Sequence, residues 1–161
     1  MAENPLGALA YGEAKKAVEG QAATLDSLQT RASTLLAAAA LVTAFLGGQA
    51  LGSPTISGGR VVRATLGPLA WAAVAAFVGV TTLAVAVLWP RQWKLDMSVS
   101  PILNATRNTD IDEKDGQAQL AAFWEDNYAF NQAKLARVFD LYRYACVSLG
   151  LEVLFWILDF N

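Results

Sequence analysis

Two long runs without a charged residue decide what this chain can fold into. Ala32 to Gly59 is 28 residues with no Asp, Glu, Lys or Arg, and its apolar part, Ala32 to Leu51, supplies the ~20 residues a helix needs to cross a bilayer. Between Arg63 and Arg91 lie 27 more uncharged residues. Within them Leu66 to Trp89 reads LGPLAWAAVAAFVGVTTLAVAVLW, with Trp71 and Trp89 near its ends, where aromatic belts sit. Pro90 closes the run. A buried helix pair in a soluble core would need a polar face or many covering elements, and a chain of 161 residues has too few.

A third apolar segment, YACVSLGLEVLFWILDF, starts at Tyr144, but only 15 residues separate Arg143 from Asp159 and Glu152 interrupts them. It could cross with bilayer thinning and snorkelling or lie partly embedded, and crossing is the favoured reading because Val153 to Leu158 is too apolar for an exposed end. The expected fold is therefore all-α, an integral membrane helical bundle of two spans and a third segment. Its divisions are a long helix over 8–51 that includes the first span, an external loop over 52–65, a second span over 66–90, a linker over 91–116, a cytoplasmic helix over 117–143 and the third span over 144–160.

Basic residues set the orientation. Lys15, Lys16 and Arg31 precede the first span, Arg60 and Arg63 lie between spans, and Arg91, Lys94, Arg107, Lys114, Lys134, Arg137 and Arg143 follow the second. The positive-inside rule places the N-terminus and the 91–143 segment in the cytoplasm. The loop GSPTISGGRVVRATL, rich in turn formers, then faces outward. A secretory signal is a poor reading of the first span, since its 31-residue leader would hold Glu3, Glu13, Glu19 and Asp26.

Heptads run toward the membrane on both sides of the pair of spans. Tyr11, Val18, Leu25 and Ala32 recur every seven residues with Ala14, Gln21, Leu28 and Leu35 three positions later, and Ala121, Tyr128, Leu135 and Tyr142 pair with Trp124, Asn131, Val138 and Ala145. A second cytoplasmic helix thus enters the third span directly. Acidic Asp110, Asp112, Glu113 and Asp115 at its beginning and Lys134, Arg137 and Arg143 near its end suit the helix dipole. The seams could pack as a helical hairpin in one protomer or between subunits. Asn131 is a polar core residue of the kind that fixes register or subunit number, and Gln21 could be its partner.

Within the spans, Ala40, Ala44 and Gly48 fall at four-residue spacing, as do Ala75 and Gly79, which would allow close helix contact. Glu152 is an ionisable group inside an apolar segment, so it should face a water path, the headgroup layer or a hydrogen-bonded partner. Thr43 and Gln49 are lesser candidates for a pore or intramembrane polar site, and Thr43, Gln49, Thr81 and Thr82 should otherwise bond their own helices. Arg91 and Lys94, just past the second span, suit lipid headgroups.

Soluble chemistry is disfavoured by counting. There is no His and a single Cys, so His-based catalysis, His metal sites and an intrachain disulfide are excluded. No phosphate loop, GxSxG elbow or metal-ligand cluster occurs, so no catalytic, cofactor or metal residue is named. Cys146 lacks a base nearby in sequence and reads as a small buried hydrophobe. A formal charge of -2 does not suit a nucleic-acid binder.

The run LDSLQTRASTLLAAAALVTAFL, with an Arg ahead of an Ala-rich span, and the stretch WEDNYAFNQAKLARVFDLYRYACVSLGLEVL, a charged helix leading into a last span, resemble small bacterial membrane effectors of the SLATT and Pycsar transmembrane type. The resemblance covers the chain from about Tyr11 onward and rests on arrangement. It implies an antiphage role in the bacterial inner membrane, with homo-oligomers impairing the membrane in response to a nucleotide second messenger or a separately encoded sensor protein. Larger members of those families have a separate ligand-sensing domain that is not recognised in this sequence, so sensing by the cytoplasmic helices or by a separately encoded protein is expected instead. An oligomeric gated pore or membrane-disrupting effector is the leading expectation. The alternatives are a non-conducting anchor or accessory subunit for a soluble partner, and a holin-like lysis protein.

Overall fold

The computed structural model describes residues 5–51, 55–57, 60–62, 67–95 and 113–159, with side chains for 9–49, 67–95 and 116–159. Apart from a small hairpin and extended stretches beside α2, these residues are helical: α1 spans Pro5–Leu51, α2 Pro68–Leu88 and α3 Glu113–Asp159. All three helices are long and apolar enough to cross a membrane. The linker residues 96–112, with Asp110 and Asp112, lie outside the described residues.

Each boundary has a local cause. Gly67 is extended (φ -66°, ψ 167°) and Pro68 follows at the first helical position, where its missing N–H costs nothing. Trp71 N–H donates to the Gly67 carbonyl at 3.2 Å and closes the first turn. At the other end Trp89 turns extended (φ -59°, ψ 128°) because the Pro90 ring disfavours helical backbone in the residue before it. Between α1 and α2, β1 (Thr55–Ser57) pairs antiparallel with β2 (Arg60–Val62), with Ser57 opposite Arg60. The sequence between them is Gly58-Gly59, a favoured pair for a two-residue hairpin connection.

The chain divides into two compact units. The first comprises 1–27 and 90–137, the second 28–89 and 138–161. In the second unit all three helices contribute to the core. Leu35 and Ala39 of α1, Val80 of α2 and Ala145 of α3 form one cluster, with Phe77, Leu83, Tyr142 and Leu149 against it. Ala70 and Ala73 of α2 surround Trp156 of α3, with Val42, Leu46, Val74 and Phe155 alongside. The outward faces are apolar as well: Leu41, Phe45, Trp71, Val78, Leu154 and Ile157 are exposed. An apolar exterior suits a solvent of lipid tails, where close packing and polar contacts hold helices together.

Within this unit α1 and α3 run parallel. Thr43 meets Glu152 and the Gly47 position meets Trp156 one turn further along both helices. Helix α2 runs antiparallel to α3, with Gly67 beside Asp159 and Gly79 beside Ser148. Of the two readings of the heptads, α1 and α3 pack within one chain, but in this unit they run parallel rather than as an antiparallel hairpin. Helix α3 also continues to Asp159, with no basic residue in its last turn. Lys134, Arg137 and Arg143 therefore lie inside the helix, and the expected charge match at its C-terminal end does not occur.

Candidate functional site

The heptad on α3 continues one step further than its obvious members, so Trp124, Asn131, Val138 and Ala145 are followed by Glu152, and all five are buried. Glu152 is 0% exposed. Thr43 Oγ1 on α1 donates to Glu152 Oε1 at 2.5 Å. The second carboxyl oxygen, Oε2, is buried with no hydrogen-bond partner among the described residues. Two further groups of the same unit share that condition: Trp156 Nε1, one turn along α3, and Thr81 Oγ1 on α2. A buried polar atom ordinarily has a partner, and among the described residues each unit holds three that lack one, the first unit's being Gln21 Oε1, Trp124 Nε1 and Asn127 Nδ2.

The arrangement leaves Glu152 two of the options open in sequence. It is buried among helices rather than turned to headgroups, and its hydrogen-bond partner is a neutral hydroxyl, with no ion pair to it among the described residues. A carboxyl so placed can hold or release a proton, or attract a cation, if water reaches Oε2. Among the described residues no group of three His, Cys, Asp or Glu side chains could hold a metal ion.

Other intramembrane expectations fare differently. Gln49 is exposed at the end of α1 and does not join Glu152. Ala40, Ala44 and Gly48 all face outward, while the small residues that pack inward are Ala39 and Gly47, one position earlier. Gly79 does make a close contact, its Cβ position lying 3.4 Å from Ser148 Oγ, whereas Ala75 is exposed. Thr43 bonds across to α3 rather than to its own helix, and Thr81 has no bond among the described residues. Among the described residues, Thr24, Ser33 and Thr34 of α1 show the back-bond to the fourth preceding carbonyl. Cys146 is exposed, correcting its expected burial: Ala145 takes the seam position and the next residue is rotated away by about 100°.

In the first unit the two polar seam residues do not bond each other. Gln21 Nε2 donates to the Tyr128 carbonyl at 3.1 Å. Asn131 instead grips one residue of the segment after α2: Lys94 N–H donates to Oδ1 and Nδ2 donates to the Lys94 carbonyl, each at 3.1 Å. The amide thus behaves like a strand partner for an extended chain. Lys134 Nζ adds a bond to the Gln92 carbonyl at 2.6 Å. Pro90 cannot continue α2, and in the extended segment after it Asn131 supplies the partner for the Lys94 backbone.

Comparison with protein-family models, curated proteins and solved structures returns no match to this chain. The site must therefore be read from its own chemistry.

Proposed function

We propose that the protein is an oligomeric membrane effector that forms a gated pore or otherwise disrupts the bacterial cell membrane, in antiphage defence, on receipt of a nucleotide signal or a signal from a separate sensor. The observation that carries the reading is Glu152, a carboxyl buried in an apolar helical unit with one oxygen unbonded among the described residues. Placing an ionisable group there is expensive, and such groups ordinarily serve a water or ion path. Trp156 Nε1 and Thr81 Oγ1 supply further polar atoms that water could satisfy if the helices part. The described arrangement is then the closed state. Antiphage defence rests on the resemblance of the Arg-led first span and the charged helix before the last one.

Reconstitution in liposomes tests it. Wild-type protein should release a cation gradient, and Glu152→Gln should reduce that flux several-fold while insertion and assembly are retained. Equal flux from both proteins would remove Glu152 from the path. A second reading, a non-conducting anchor for a soluble partner, is favoured by the first unit, where Asn131 spends both ends of its amide within one chain and Glu125, Asp126 and Arg137 remain exposed. Inserted wild-type protein that holds every gradient would favour the anchor.

A further inference from the structure

Just beyond α2, two ammonium groups meet at one aromatic ring. Lys94 Nζ lies 4.4 Å and Lys134 Nζ 4.0 Å from the centroid of Phe130. The cations come from different parts of the chain and each is held by the fold. Lys94 is pinned through its backbone by the Asn131 amide, and Lys134 through its ammonium by the Gln92 carbonyl. Phe130 is 41% exposed, so the cluster opens outward. Among the described residues neither lysine is ion-paired; the salt bridge there is Lys15 with Glu19, on α1.

Two like charges gathered on one ring repel, and the ring's π-face offsets that repulsion only in part. A phosphate oxyanion paired with the ammoniums would offset it. We propose that Lys94, Lys134 and Phe130 form a binding site for a phosphate-bearing anion. The position in the chain favours the phosphate of an anionic lipid headgroup, because Lys94 follows directly on a helix long and apolar enough to cross a membrane, where basic residues meet headgroups. The aromatic ring beside the ammoniums suits the same boundary, with an apolar body next to charged tips. The proposal requires that α2 crosses a bilayer and is independent of whether the assembly conducts.

Thermal unfolding of the full chain in neutral detergent micelles tests it, with phosphatidylglycerol or inorganic phosphate as the added probe and each variant compared with its own unfolding midpoint without probe. Phosphatidylglycerol should raise the wild-type midpoint, and the apparent affinity should fall about thirtyfold in the Lys94→Gln/Lys134→Gln double variant, on the basis of about 1 kcal/mol for each basic residue. The Lys94→Arg/Lys134→Arg variant should keep the response. If the double glutamine variant does not fold, Lys94→Gln alone should lose about fivefold by the same measure. A response to inorganic phosphate equal to that for lipid, lost in the glutamine variants, supports the site and assigns it to a soluble phosphate. A midpoint unmoved by both probes, or moved equally in wild type and glutamine variants, overturns the proposal.

Discussion

Asn131 spends both ends of its amide on Lys94, and no other residue type of its size can donate to a carbonyl and accept from the N–H of the same residue. Asn131→Leu should therefore free the 91–95 segment and lower stability by about 1–3 kcal/mol, read from chemical unfolding in micelles. The effect should appear without a change in subunit number, since the bonds lie within one chain. Glu152 poses the opposite problem, because it has too few partners. Thr43→Val removes the donor to Oε1 and should cost about 1–3 kcal/mol, while Glu152→Gln should fold at least as well as wild type, its amide still accepting from Thr43 and no longer risking a buried charge. In a Glu152→Leu background, where no acceptor remains, the Thr43→Val penalty should shrink, a coupling that a double-mutant cycle would measure. Equal penalties in both backgrounds would mean that Thr43 acts through packing alone.

At the scale of helices, contact depends on which small residue faces inward. A Cβ on Gly79 would sit at ordinary contact distance from Ser148, so Gly79→Ala should be tolerated and Gly79→Leu should separate α2 from α3, costing about 1–3 kcal/mol through overpacking. Gly48→Leu, with nothing within 4 Å of its Cβ position, should leave the fold intact. Both outcomes are checked by the same unfolding experiment. The spans themselves were legible in the sequence because their length and lack of charge have few explanations, and the heptad predicted the buried face of α1 from Val18 to Leu35 residue for residue. Glu152 was legible as costly, and its burial followed from the heptad extended by one more step from Ala145. The face carrying Ala40, Ala44 and Gly48 was not, because Ala-rich helices offer small residues at four-residue spacing on every face, and only the packed partners, Trp156 against Gly47 and the Val80 and Ala145 cluster around Ala39, select the inward one. Nor could sequence pair Asn131 with Lys94. Its partner is a main-chain group, and any extended segment offers the same one.

For the whole molecule, three crossings would put the start of α1 and the end of α3 on opposite sides of a membrane, and the parallel α1 and α3 of the second unit accord with that path. With exposed Cys146 replaced by Ser, a cysteine at Ser57 should react with an impermeant reagent from outside and one at Asp112 should not, given the excess of basic residues after the second span. Reversed labelling would overturn the orientation. Assembly is the remaining question of this scale. Trp156, Val80 and Ala39 are buried among the three helices of the second unit, and on the proposed reading several copies would form the path. The Ala40, Ala44 and Gly48 stripe faces outward, where a neighbouring helix could approach closely without disturbing the protomer. The expected mass in mild detergent at micromolar concentration is that of an oligomer, and Ala44→Leu/Gly48→Leu should shift it toward the monomer while the unfolding midpoint of the protomer holds. An oligomer unchanged by those substitutions would move the interface to another face. A wild-type monomer under the same conditions would remove the pore and leave the anchor, because a single copy encloses Glu152, the one buried carboxyl among the described residues, with its own helices.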